Sequence, residues 1–145
     1  MTAFADRSEA GRRLADAVAR AVATRPTMPA VVLALPRGGL PVAAPVAAAL
    51  DAPLDIALVR KVGVPGQPEL AAGAVADGPG GGLVVNADVA RSVGLDATQV
   101  EQLAEPERAE LTRRRSRYLG DRAPEPVAGR PAVVVDDGIA TGATI

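Results

Sequence analysis

Two adjacent carboxylates, Asp136 and Asp137, follow the apolar run Val133-Val134-Val135 and precede Gly138-Ile139-Ala140-Thr141-Gly142-Ala143-Thr144-Ile145. An apolar run without polar alternation reads as a buried strand, so the acids surface where that strand ends. Adjacent carboxylates there can accept hydrogen bonds from a vicinal diol, and they are hard oxygen ligands of the kind magnesium takes. The stretch from Gly138 to Thr144 has little side-chain bulk. Its backbone amides are suited to wrapping a phosphate, helped by the hydroxyls of Thr141 and Thr144. A helix following the loop would add its positive end. Taken singly, these features are a strand exit and a polar turn; the ordered string as a whole points to a phosphorylated sugar.

Two further places carry cations. Pro36-Arg37-Gly38-Gly39 breaks a second apolar run, Val31 to Leu35. Its glycines permit close approach of an anion, and Arg37 supplies a planar fork for phosphate oxygens. Arg60-Lys61 follows a third apolar run and reads either as two surface charges or as a clamp on a diphosphate. Lys61 is the only lysine in the chain. Glu69 is the one acid between Val62 and Ala76, a weaker candidate for orienting a substrate. Arg113, Arg114, Arg115 and Arg117 follow a glutamate-rich stretch and read as a solvated helix face, since no aromatic residues interleave with them.

The elements that must position these groups alternate between helix and strand. Residues 6–23 repeat Leu14, Val18 and Val22 at helical spacing, with Ala10, Ala17 and Ala21 on the same side. A strand at Val31–Leu35, a helix from about Leu40 to Leu50 and a strand at Leu54–Val59 follow. The glycine- and proline-rich stretch 63–82 reads as a flap, with an extended piece at Leu70–Ala76 and a return partner at Leu83–Val85. Asp88–Val93 is a helical turn. Asp96 is placed to cap a long helix ending near Tyr118, anchored by Leu103, Leu111 and Tyr118. A last strand covers Ala132–Val135. Pro45 and Pro106 fall inside two of these helices, where each would cost about 3 kcal/mol, so a kink or a shifted start is expected at Pro45 and a bend or division at Pro106. The pattern predicts an α/β fold: an open, mostly parallel sheet with helices on both faces and a flexible flap. Ligands in such sheets lie beyond the carboxyl ends of the strands, where all three loops are expected to meet.

Composition narrows the chemistry. The 145 residues fit one domain, and 48% hydrophobic content with 1% aromatic demands a core of Ala, Val and Leu. Without cysteine or histidine there is no thiolate site, no imidazole base and no Ser-His-Asp triad. A net charge of -1 gives no polyelectrolyte argument for nucleic acid, and no apolar run is long enough to span a membrane. The start lacks the basic and apolar blocks of a secretion signal, so the cytoplasm is the default expectation.

On these motifs the chain resembles the type I phosphoribosyltransferases. Val133 to Thr144 looks like their signature for phosphoribosyl pyrophosphate (PRPP), and Leu35-Pro36-Arg37-Gly38-Gly39 looks like their pyrophosphate loop. The continuation from Val59 to Ala71 resembles a bacterial subgroup of uncharacterised phosphoribosyltransferase-domain proteins. The resemblance implies that Asp136 and Asp137 hold the ribose 2- and 3-hydroxyls and share in placing Mg2+. It implies that Ala140, Thr141, Gly142, Ala143 and Thr144 hold the 5-phosphate. Arg37, Gly38 and Gly39, with Arg60 and Lys61, would receive pyrophosphate, Lys61 counting with the two acids as catalytic. A nitrogenous small-molecule acceptor is then expected, with no nucleic-acid or membrane partner, and a homodimer left open. A PRPP- or nucleotide-binding regulatory domain and a phosphorylated-sugar hydrolase are the alternatives. Because the family continues beyond the phosphate loop with a supporting helix and further elements, an incomplete domain is also expected.

Overall fold

The computed structural model describes residues 3–23, 29–77 and 82–139. The chain forms two compact units, Met1–Ala57 with Pro124–Ile145, and Leu58–Ala123.

The first unit is built on three parallel strands. β1 (Val31–Ala34) lies between β2 (Leu54–Ile56) and β6 (Ala132–Val135), giving the order β2-β1-β6. Ala34 pairs with Ile56 on one side and with Val135 on the other, so all three strands end level. Alternate residues Val32, Ala34 and Val135 point into one apolar cluster with Val42, Ala43, Val46 and Ala47 of helix α2 (Gly39–Leu50). On the opposite face of β6, Val134 stays 45% exposed. Helix α2 ends at Asp51 in the left-handed conformation (φ 48°), an αL cap that bonds the last carbonyls through the amides of Asp51 and Ala52. At the other end of the sheet, Arg130 donates to the carbonyls of Pro29, Ala30 and Pro126 at 2.9, 3.1 and 3.0 Å. Buried Asp55 accepts the amides of Ile56 and Glu125, tying the segment before β6 to β2.

Helix α1 (Arg7–Ala23) packs on α2 with a different face from the expected one. Its buried residues are Gly11 and Ala15, with Val18 packed against the cluster, while Leu14 is 37% exposed. The reason is distance. A Cβ on Gly11 would overlap the Val42 carbonyl and come within 3.0 Å of the Pro45 ring. Only the smallest residues allow so close a helix crossing, so Gly11 and Ala15 take the contact and Leu14 turns outward, while Val18 of the expected stripe still packs inward. The same contact accounts for Pro45. Its ring packs toward α1, and α2 runs on through it as one helix, Gly39–Leu50.

The second unit is antiparallel. β3 (Val59–Val64), β4 (Gln67–Ala76) and β5 (Leu83–Val85) form a sheet in that order. Short helix α3 (Ala87–Ser92) and long α4 (Ala97–Leu119) complete it. Asp96 caps α4 as expected: it accepts the Gln99 amide at 2.8 Å, and the Gln99 side chain returns the bond at 2.8 Å. Pro106 lies on the exposed side of α4, which is a single helix there too. Its buried face is Val100, Ala104 and Leu111, while Tyr118 is 43% exposed. The strand expected at Leu54–Val59 is therefore two strands in two sheets. Arg60 and Lys61 lie within antiparallel β3, not at the carboxyl end of the parallel sheet. Ala57 and Leu58 form the break, where Leu58 bonds to Asp77 through both its amide and its carbonyl.

Candidate functional site

The parallel sheet delivers two loops to one edge. The Leu35 amide donates to the Val135 carbonyl at 2.9 Å, and the Gly39 amide donates back to Leu35 at 2.9 Å, fastening the 36–39 turn onto the end of β6. The Pro36–Arg37 peptide is cis. Gly39 opens α2, and a Cβ there would lie 2.7 Å from the Val135 carbonyl. A Cβ on Gly38 would overlap the Asp137 carboxylate. Gly39 is thus required by its close approach to backbone, while Gly38 lies against the movable end of the Asp137 side chain. Gly38 of this turn therefore lies directly against the Asp137 carboxylate.

Each group in this edge has a distinct state. Arg37 is exposed and, among the described residues, has no ion pair. The amides of Arg37 and Gly38 also have no acceptor among the described residues, so two donors and a guanidinium share one short turn. Asp136 is half-buried, and its Oδ1 accepts the Asp137 amide at 2.8 Å. Asp137 Oδ2 accepts two bonds from Arg7, from Nε at 3.1 Å and from a terminal nitrogen at 2.9 Å. The hydrogen bonds from the Arg7 guanidinium hold the Asp137 carboxyl below its ordinary value of 3.8. Asp137 is therefore ionised at neutral pH and acts only as an acceptor.

Arg7 escaped the sequence reading. It stands 130 positions from Asp137, and nothing in its local context marks it. Its placement comes from the start of α1, where Asp6 Oδ1 accepts the Glu9 amide at 2.7 Å and Glu9 accepts the Ala5 amide at 2.6 Å.

The second unit uses its charges differently. Arg60 is half-buried and ion-paired with Glu107 of α4. Lys61 is exposed, with no ion pair among the described residues. Glu69 is exposed at the start of β4. The expected solvated arginine face is correct for Arg113 and Arg114, both paired with Glu110. It is incorrect for Arg115, whose side chain is 12% exposed and bonds Asp77 at 2.8 Å. The predicted phosphate residues Ala140, Thr141, Gly142, Ala143 and Thr144 lie outside the described residues. Among the described residues, no cluster of three acidic ligands could hold a metal alone, and no helix is long and apolar enough to cross a membrane.

Comparison with known proteins gives one family. The chain is 50% identical over 144 residues to "Putative phosphoribosyl transferase Rv0571c" of Mycobacterium tuberculosis H37Rv, and equally to its counterpart MT0597 in strain CDC 1551. These alignments cover 99% of this chain but 31% of each relative, so the chain spans about a third of their length. The crystal structure of TT1426 from Thermus thermophilus is 45% identical with a TM-score of 0.76, covering 98% of this chain and 64% of that one. Residues 2–145 match the family model described as the phosphoribosyl transferase domain. With the two site loops fastened to one end of a parallel sheet, the chain belongs to the phosphoribosyl transferase domain family.

Proposed function

We propose that the protein transfers a 5-phosphoribosyl group from PRPP to a nitrogenous small-molecule acceptor and releases pyrophosphate. The observation that carries this reading is the contact of the Asp137 carboxylate with Gly38. It sets a diol acceptor against a turn whose Arg37 and Gly38 amides and Arg37 guanidinium have no partner among the described residues. A ribose held by its hydroxyls on Asp136 and Asp137 would carry its C1 substituent toward such donors. Arg37, Gly38 and Gly39 receive the pyrophosphate, and Lys61 is the further cation assigned to it. Arg60 joins them only by leaving Glu107. Ala140 to Thr144 are assigned to the 5-phosphate.

The residues fit magnesium that arrives with its phosphates. Asp136 and Asp137 are two carboxylates, few for an all-protein site but suited to an ion that keeps water and substrate oxygens. Such an ion would neutralise charge on the departing pyrophosphate. The chain's own groups orient the sugar, hold the leaving group and stabilise charge as it develops. With no histidine in the chain, the acceptor's proton passes to Asp137 or stays with the acceptor.

The test is thermal unfolding with magnesium, with and without PRPP, for the protein and for the Asp136→Asn/Asp137→Asn double variant, followed by pyrophosphate release across nitrogenous acceptors. A PRPP-dependent rise in Tm only in the unaltered protein, then acceptor-dependent release, is the expected result. Binding without turnover would favour a regulatory domain. PRPP consumption without any acceptor would favour a hydrolase.

A further inference from the structure

We infer that Arg7 is a positioning residue for Asp137, and through it sets the affinity for the diol of the phosphoribosyl group; this rests on the reading above. Both Arg7 bonds end on the same oxygen, Oδ2, at 3.1 and 2.9 Å. Oδ1 is left without a donor among the described residues. The carboxylate lies against Gly38, and its own amide is held by Asp136 Oδ1 at 2.8 Å. The side chain is thus held by α1 through Oδ2 and lies against the turn before α2, while its backbone is held by Asp136, which leaves Oδ1 to accept from a ligand. The charged groups around it are Arg7 and Asp136, with Arg37 next to Gly38 in the facing turn.

Stability does not account for this contact. The Arg7 side chain is 60% exposed and that of Asp137 34%, and pairs so open to solvent contribute little to folding. A two-pronged guanidinium does restrict where a carboxylate can point, which a single ammonium does less well. The start of α1 is itself fixed by the Asp6–Glu9 cap, so Arg7 acts from a rigid base.

The test compares Arg7→Gln and Arg7→Lys with the unaltered protein, alone and combined with Asp137→Asn. Affinity is measured for three probes in the presence of magnesium: PRPP, ribose 5-phosphate and inorganic pyrophosphate. Arg7→Gln is expected to weaken PRPP and ribose 5-phosphate roughly tenfold, as loss of a supporting partner does, and to leave pyrophosphate unchanged. Arg7→Lys recovers part of the loss, and in the Asp137→Asn background Arg7→Gln has no further effect. An equal loss for pyrophosphate makes Arg7 a direct anion ligand and overturns the inference. So does tighter binding by Arg7→Gln, which would mean that Arg7 competes with the ligand. If the unaltered protein binds none of the probes, the phosphoribosyl reading falls, and the ligand half of this inference falls with it. The positioning half is decided without ligand, from the Asp137 χ1 couplings measured by NMR. A single rotamer that becomes averaged in Arg7→Gln supports it, and unchanged couplings overturn it.

Discussion

The two units solve the same packing problem with similar residues and spend their glycines and charges differently. In the parallel unit, Gly38 and Gly39 let one loop approach another, and the Arg37 and Gly38 amides and the Arg37 guanidinium have no partner among the described residues. In the antiparallel unit, Gly63 and Gly73 let a strand approach its own neighbour: a Cβ on Gly73 would lie 2.5 Å from the Val84 carbonyl. Charges there close on one another, Arg115 on Asp77 and Arg60 on Glu107. A glycine whose neighbour is backbone is a structural requirement. A glycine whose neighbour is a half-exposed acid leaves room for function.

The largest effect should come from Gly73→Val. The nearest neighbour of its Cβ is the Val84 carbonyl, backbone that cannot swing aside, so the change should cost about 3 kcal/mol, read as a lower denaturant midpoint. A loss of under half a kcal/mol would break the comparison. Next, Pro106→Ala should raise stability. Proline in a helix interior costs about 3 kcal/mol, the looser unfolded chain returns up to about 1, and a net gain of about 2 kcal/mol should appear as a higher Tm. Pro45→Ala should gain less, because the ring it removes packs toward Gly11. Gly38→Ala sharpens the contrast from the other side. Its Cβ meets a side chain that can rotate, so stability should fall by about 1 kcal/mol or less. The PRPP-dependent rise in Tm should be lost, because Asp137 has been displaced.

The smallest effect concerns pH. Glu9 accepts the Ala5 amide and pairs with Arg13, which together hold its carboxyl below the ordinary 4.5. A depressed carboxyl stabilises the fold above its unfolded value and loses that contribution as pH falls through its folded one. Glu9→Gln should therefore lower Tm slightly at pH 7, and the two proteins should converge in acid. A constant difference across that range would show that the charge of Glu9 does not anchor the start of α1.

Much of this was legible in the residues. The apolar runs at Val31 and Val133 marked the right strands: β1 is buried nearly throughout, as a central parallel strand is, and β6 shows the same lack of polar alternation although Ala132 and Val134 stay exposed. Asp96 with Gln99 marked the start of α4 because a cap is a local, three-residue matter. The failures lie where partners are distant. The α1 stripe was misjudged because Gly11 and Ala15 look weaker than Leu14 until α2 is known to lie so close. Arg115 looked like its neighbours until Asp77, far away in sequence, was found beside it.

By itself the sequence determined most of the elements, the two loops proposed to carry the chemistry, and the family resemblance they imply. These depend on periodicity, caps and backbone freedom, all properties of a few adjacent residues. Only the tertiary structure decided that Arg60 and Lys61 belong to a second, antiparallel sheet, and that Arg7 bonds Asp137 across 130 positions. Such pairings depend on which elements come to lie side by side, and short-range sequence patterns carry no record of that.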